Sequence, residues 1–239
     1  MKALSTGQNN MIQYKNLFYS FHCSEIPGFD KIGEAAKALS EIPSNFDRIE
    51  LQKKTGSDRY KDLRASLDAL PDRKEAMEFE AKGHFNKVLS SVKPESESAN
   101  HKPEEKWSFR PGHIAFNPEF GRLDKLKSLL NEYFDHNCLQ AGDFLYPPDG
   151  FRLWHTNKFD LESWFIFFVD VDKPKCSFFK FIDPETGELV THWDEPGTVN
   201  IFKINSNNSD LLWHCIGTND CYRWSQGFSI PGHWKEKLL

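Results

Sequence analysis

Residues 163–182 read SWFIFFVDVDKPKCSFFKFI. This segment contains two apolar, largely aromatic runs, Ser163–Val171 and Ser177–Ile182, which are separated by the polar residues 172–175. Short runs rich in Phe, Ile and Val and bounded by turn-forming residues such as Asp and Pro are typical of β-strands. The segment therefore predicts two consecutive strands joined by a turn.

The same pattern continues on both sides of this segment. Turn signals recur at intervals of roughly ten residues from Gly142 onward, which is typical of an all-β sandwich or barrel. The sequence therefore predicts an α+β chain that is mainly β, with a jelly-roll core. The predicted strands are residues 144–146, 152–155, 163–171, 177–182, 189–192, 199–204, 211–216 and 222–230.

Helical spacing of apolar residues appears outside this region. It is present in residues 32–39, in residues 60–70 and most clearly in residues 123–134, where the pattern is that of an amphipathic helix suited to covering a sheet. The polar segment 92–107 predicts a surface loop or a lid, and we favour the surface loop. We expect residues 1–110 to form a helical and looped region that packs on a core of residues 111–239, both within one structural unit.

Composition excludes several classes of protein. The 239 residues carry a net charge of −5 without a basic cluster, so we expect no nucleic-acid partner. No apolar run approaches the ~20 residues of a membrane span, and the first ten residues do not resemble a signal peptide. Five scattered cysteines indicate neither a disulfide framework nor a zinc site. We expect a cytoplasmic protein, and its oligomeric state is left open.

Two of the nine histidines have an unusual context. His155 ends a predicted strand in GFRLWHTN, and His214 lies within the apolar run LLWHCI. If the chain turns back through residues 217–220, His214 would lie opposite Arg223, with Ser225 on the same face. A buried Arg needs an anion, and its planar fork suits a carboxylate. This pattern predicts a metal at one end of the hairpin and a carboxylate ligand at the other.

Three short motifs together resemble the HxD…H…RxS signature of the iron(II)/2-oxoglutarate-dependent oxygenases. They are His155-Thr156-Asn157, His214 and Arg223-Trp224-Ser225. The longer stretch YPPDGFRLWHTN is similar to uncharacterised microbial and viral members of this superfamily. The resemblance covers about residues 142–230, and the order and spacing of the motifs are more specific than any one of them.

The resemblance implies a double-stranded β-helix with flanking helices and a 2-oxoglutarate-dependent dioxygenase activity. Iron(II), 2-oxoglutarate and O₂ would take part in the reaction, and the primary substrate would be a small molecule or a peptide. The implied iron ligands are His155, Asn157 and His214; the implied cosubstrate-binding residues are Arg223, Ser225 and Tyr146.

The sequence departs from the signature at Asn157, where the family has a carboxylate. Three arrangements are open: Asn157 ligates the metal through Oδ1, a nearby acid such as Asp160 or Asp149 replaces it, or the position accepts a halide. The first two arrangements suit a hydroxylase, which is the activity that we favour. The third suits a radical halogenase, which is the alternative. A non-catalytic jelly-roll binding protein is a third possibility, but the intact Arg223-x-Ser225 motif speaks against it.

Overall fold

The computed structural model describes residues 11–42, 56–68, 105–110, 112–157, 163–204 and 212–239. Twelve strands occur in these ranges: β1 (Ile12–Tyr14), β2 (Phe18–His22), β3 (Trp107–Arg110), β4 (His113–Phe116), β5 (Gln140–Tyr146), β6 (Phe151–His155), β7 (Ser163–Val171), β8 (Ser177–Ile182), β9 (Leu189–Trp193), β10 (Thr198–Ile204), β11 (His214–Thr218) and β12 (Arg223–Ile230). The α-helices in these ranges are α1 (Asp30–Lys37), α2 (Asp58–Ala65), α3 (Asp124–Phe134) and α4 (Lys235–Leu238).

The strands form two antiparallel sheets that face each other. The large sheet has the order β1-β2-β10-β7-β12-β5-β4-β3, and the small sheet has the order β6-β11-β8-β9. From β5 to β12 the chain moves back and forth between the sheets, so that β5, β7, β10 and β12 lie in one sheet and the other four in the second. This alternation is a double-stranded β-helix of the jelly-roll class, and the predicted fold class is confirmed.

The central strand of the large sheet explains the aromatic run from which the fold was predicted. Along β7, Phe165, Phe167 and Val169 point between the sheets, whereas Ile166 and Phe168 point to the outer face. Both faces are buried, so the strand is apolar from Trp164 to Val169 and shows no polar alternation there. The fold therefore has two apolar layers that share this strand.

Helices cover the outer faces of both sheets. Helices α1 and α3 pack on the large sheet through side chains such as Ile32, Leu126 and Leu130. Helix α2 packs on the small sheet, where Tyr60 contacts the ring of Phe151 at a centroid distance of 4.8 Å. In the part of the chain that the structure describes, no helix is both long enough and apolar enough to cross a bilayer.

Most predicted elements correspond to observed ones. Each of the eight predicted strands overlaps one of β5 to β12, and the three predicted helices overlap α1, α2 and α3. The predicted polar loop lies almost entirely outside the described residues. The first 110 residues also contain β1, β2 and β3, which extend the large sheet and which the sequence patterns did not reveal. Strand β2 is buried on both faces and therefore lacks a period-two pattern.

Candidate metal and cosubstrate site

An extra residue in β6 determines which way His155 points. His155 pairs with His214 on β11, but Arg152 pairs with Ile216, so three residue steps on β6 match two on β11. This is a β-bulge, which often re-aims side chains next to active sites. Side chains alternate along a regular strand, and without the bulge His155 and Arg152 would point to opposite faces. With it, both face the interior of the sandwich.

The two imidazoles face each other, and both turn Nδ1 toward a backbone carbonyl. Their ring centroids are 4.2 Å apart, and both side chains are buried. The Nδ1 of His155 lies 2.7 Å from the carbonyl oxygen of Leu153, and that of His214 lies 2.9 Å from the carbonyl oxygen of Leu212. Nδ1 therefore donates its proton in both rings, and Nε2 keeps a lone pair. The Nε2 of His155 has no hydrogen-bond partner among the described residues.

Burial keeps both imidazoles neutral. It lowers the pKa of His214 to about 3, and the positive charge of Arg152 adds to the effect, while the hydrogen bond to Leu212 opposes it. Burial likewise holds the pKa of His155 well below its usual range, with Arg152 and His214 contributing. A metal ion binds neutral imidazole, so no proton has to leave either ring at neutral pH.

Asn157 lies beside this pair. Its Nδ2 is 3.2 Å from Nε2 of His214, and rotation of the amide by half a turn would present Oδ1 at the same place. Asp149 is exposed in the turn at the other end of β6, and Asp160 lies outside the described residues. Among the described residues no group of three or more His, Cys, Asp or Glu side chains could hold a metal. The donors that fit an ion here are two imidazoles and one amide.

Arg223 faces the same interior, but it does not form a hairpin with His214. That prediction is wrong, because β11 belongs to the small sheet and β12 to the large one, where Arg223 pairs with Tyr146 and Val171. The loop between β11 and β12 crosses from the small sheet to the large sheet, and hydrogen bonds to other loops hold it in place. The amide of Asn219 donates to the carbonyl of Cys176 at 2.8 Å, for example.

The chain supplies its own counter-ion to Arg223. The Nε of Arg223 donates to Oδ2 of Asp194 at 2.9 Å, and the side chains are only 1% and 0% exposed. Asp194 also accepts from Ser177 Oγ at 2.6 Å. Burial raises the pKa of Asp194, but the charges of Arg223 and His192 outweigh it, so this pKa lies below its usual value. The buried guanidinium therefore does not need an external carboxylate for neutrality, contrary to expectation.

Some buried polar atoms near this ion pair have no hydrogen-bond partner among the described residues. Among the described residues, neither Nη1 of Arg223 nor Oγ of Ser225 makes a hydrogen bond, although both atoms are buried. Ser225 and Arg223 share one face of β12, as predicted from the period of two. Tyr146 lies directly beside Arg223, whose guanidinium carbon is 5.3 Å from the centre of the Tyr146 ring.

These side chains line one narrow cavity between the sheets. Its volume is about 10 Å³, which is room for roughly one water molecule. Of its lining residues, Arg152 and Asn157 are partly exposed and the others are buried. The lining residues are Arg152, His155, Asn157, Phe167, Phe179, Asn200, Phe202, His214, Ile216, Arg223 and Ser225.

Asp194 belongs to this cluster, although the sequence patterns did not reveal it. It follows β9 in the stretch HWDEPG, where an Asp before Pro and Gly has the appearance of an ordinary turn residue. No local signal indicates that its carboxylate reaches a residue 29 positions further along the chain.

Comparisons with known proteins show similarity in solved structures only. No family model and no curated protein matches the sequence. A full-length protein of Neurospora crassa, solved in complex with α-KG, is similar with a TM-score of 0.39 and 13% identity, over 90% of this chain and 76% of that one. A prolyl hydroxylase of Trichoplax adhaerens, solved with a peptide fragment of hypoxia inducible factor, has a TM-score of 0.34 and 11% identity, over 81% and 96%.

The similar structures are not all oxygenases. The cupin domain of Drosophila melanogaster CENP-C has a TM-score of 0.31 and 11% identity, over 66% of this chain and 92% of that one. The superfamily that the sequence resembles is therefore represented among these structures, together with a cupin. At such TM-scores a shared activity does not follow, and the function has to be inferred from this chain's own residues.

The buried ion pair leads to a stability prediction. Asp194→Asn keeps the shape of the side chain but leaves the Arg223 charge uncompensated, which we expect to lower the free energy of unfolding by about 3–5 kcal/mol. Urea unfolding at pH 7 measures this. Asp220→Asn is the matched control, since Asp220 pairs with Lys173 at the surface and both side chains are largely exposed. Equal effects of the two substitutions would contradict the role given to Asp194.

Proposed function

We propose that this protein is an iron(II)- and 2-oxoglutarate-dependent oxygenase that hydroxylates a small molecule, an amino acid or a protein side chain. The observation that carries the proposal is the facing pair His155 and His214. Both rings are buried, each donates Nδ1–H to a backbone carbonyl, and the Nε2 of His155 has no partner among the described residues. A buried nitrogen left without a hydrogen bond is costly unless a ligand uses it.

In this proposal His155, His214 and Asn157 hold the metal. The carbonyl oxygens of Leu153 and Leu212 fix the tautomer and the orientation of the two rings, as partners of metal-binding histidines usually do. Two imidazoles with one oxygen donor suit iron(II) and leave coordination positions open. Bound iron would supply the O₂ chemistry that is coupled to 2-oxoglutarate, while the protein holds the reactants and excludes water.

The cosubstrate would be held by Arg223, Ser225 and Tyr146. The Nη1 of Arg223 and the Oγ of Ser225 can donate to the far carboxylate of 2-oxoglutarate, while Asp194 holds the guanidinium from its Nε side. A cavity of about 10 Å³ does not accommodate this molecule until lining side chains move. Arg152 and Asn157 border solvent, so their side chains can rotate without disturbing the packed core.

The side chain of Asn157 favours hydroxylation over the two alternatives. Its amide already lies 3.2 Å from Nε2 of His214, in the region where a halogenase would need room for a halide. A binding protein with a vestigial site would be expected to fill or pair its buried polar atoms. His155 Nε2, Arg223 Nη1 and Ser225 Oγ instead converge on one cavity without partners among the described residues.

Metal binding is the first test. We expect the wild-type protein to bind one iron(II) per chain anaerobically and to develop a weak visible charge-transfer band when 2-oxoglutarate is added. His155→Ala and His214→Ala should each abolish both signals because two ligands remain at most. His136→Ala, at an exposed site outside the cavity, is the control. Circular dichroism checks the fold, and unchanged iron content in both cavity variants would refute the proposal.

The third ligand is tested by changing its charge. Asn157→Asp adds an anion beside the metal and should tighten iron(II) binding by about tenfold, whereas Asn157→Ala should weaken it. Metal affinity of the apoprotein is the measurement, with Asp149→Ala and Asp160→Ala as comparisons. If either aspartate variant loses the metal while Asn157→Ala retains it, a carboxylate is the ligand and Asn157 is not.

The cosubstrate contact is best tested at Ser225, because its hydroxyl makes no hydrogen bond within the described protein. Ser225→Ala should weaken 2-oxoglutarate binding several-fold, by about 1 kcal/mol for one hydrogen bond, without loss of stability. Arg223→Lys should weaken it further, by roughly 30-fold or more if about 2 kcal/mol is lost, since a point charge replaces the fork. Anaerobic titration measures both affinities. Unaltered affinity in both variants would mean that 2-oxoglutarate binds elsewhere.

A further inference from the structure

Arg152 carries a charge at the cavity for which the described residues provide no counter-ion. It lies on β6 three residues before His155, and the bulge between them turns both side chains inward. Its guanidinium carbon lies 5.0 Å from the centre of the Phe144 ring, a cation–π contact with β5 of the opposite sheet. Since Phe144 belongs to the large sheet, Arg152 spans the gap between the two sheets at β6, the edge strand of the small sheet.

The opening of the cavity lies at this residue. Of the eleven lining side chains, nine are buried, and only Arg152 and Asn157 are partly exposed. Among the described lining residues, Arg152 and Asn157 are therefore the ones that a molecule entering from solvent would meet first.

Among the residues that the structure describes, the charges around the cavity do not cancel. The two imidazoles and the amide of Asn157 are neutral, and Arg223 is balanced by Asp194. A divalent metal and a 2-oxoglutarate dianion would balance each other, and Arg152 would then remain as one positive charge at the opening. A family member with Asp in place of Asn157 would have one negative charge more at this site.

We propose that Arg152 binds a carboxylate of the primary substrate and so restricts the enzyme to substrates with a single negative charge near the reacting carbon. This inference rests on the proposed oxygenase function. The guanidinium lies over the Phe144 ring, and its planar fork of N–H donors suits a two-point interaction with a carboxylate. A substrate with one negative charge neutralises the remaining positive charge of Arg152, whereas a phosphate dianion would leave a net negative charge.

The test uses protein loaded with zinc(II) and 2-oxoglutarate, so that no turnover occurs. The probes are N-acetyl derivatives of the standard amino acids, each compared with its amide, which differs only in lacking the carboxylate. Ligand-observed NMR measures their affinities for the wild type, for Arg152→Gln and for Lys125→Gln. Lys125 is an exposed residue of α3 outside the cavity, so its variant controls for the loss of one positive charge.

We expect at least one acid to bind about tenfold more tightly than its amide, as one charge-assisted pair allows. Arg152→Gln should remove this preference, and Lys125→Gln should keep it. The inference is overturned if acids and amides bind alike, if neither binds, or if the preference survives in Arg152→Gln.

A second experiment measures the binding of the cosubstrate 2-oxoglutarate. Arg152→Gln should bind 2-oxoglutarate as the wild type does; a loss there would make Arg152 the cosubstrate anchor and overturn the inference. Failure of the proposed function gives a different result, namely a wild-type protein that does not bind 2-oxoglutarate even with metal. The comparison of acids with amides can then be repeated with zinc(II) alone.

Discussion

The arrangement of the cavity depends on one extra residue in β6. In a regular strand His155 would point away from Arg152 and toward the helix-covered outer face. The bulge lets both side chains face inward and sets His155 against His214 on the neighbouring strand. The same local backbone brings the carbonyl of Leu153 within 2.7 Å of the His155 ring, which fixes the proton on Nδ1. Side-chain direction and tautomer thus have a common origin.

The aromatic packing between the sheets sets the chemistry of these groups. Phe179 and Phe202 contact the ring of His214 at centroid distances of 5.2 and 5.3 Å, so little water reaches it. Low polarity disfavours a charged imidazole, which is why the pKa of His214 falls to about 3. It also strengthens any interaction with a bound ion. The residues that make the core apolar are therefore the ones that prepare the histidines to act as ligands.

The strands of the core could be predicted because turn residues mark their ends, and the amphipathic helix α3 because its apolar residues recur at helical spacing. The pairing of strands that lie far apart in the sequence could not be predicted. The predicted hairpin of His214 and Arg223 assumed that consecutive strands pair, but the chain changes sheets between them. Asp194 was missed for a related reason, because it meets Arg223 only when the two sheets pack together. The site residues themselves were identified through the order of short motifs, and their roles as ligands stay predictions.

Because of the Arg223–Asp194 ion pair, the stability of the fold does not depend on whether the cavity holds a ligand. Its two charges neutralise each other across the sandwich, so the folded chain needs no bound anion to tolerate a buried guanidinium. Groups that point into the cavity without a structural partner among the described residues, such as the hydroxyl of Ser225, can then be exchanged at little cost to folding. A scaffold built in this way can acquire new ligands through mutation while its core remains intact.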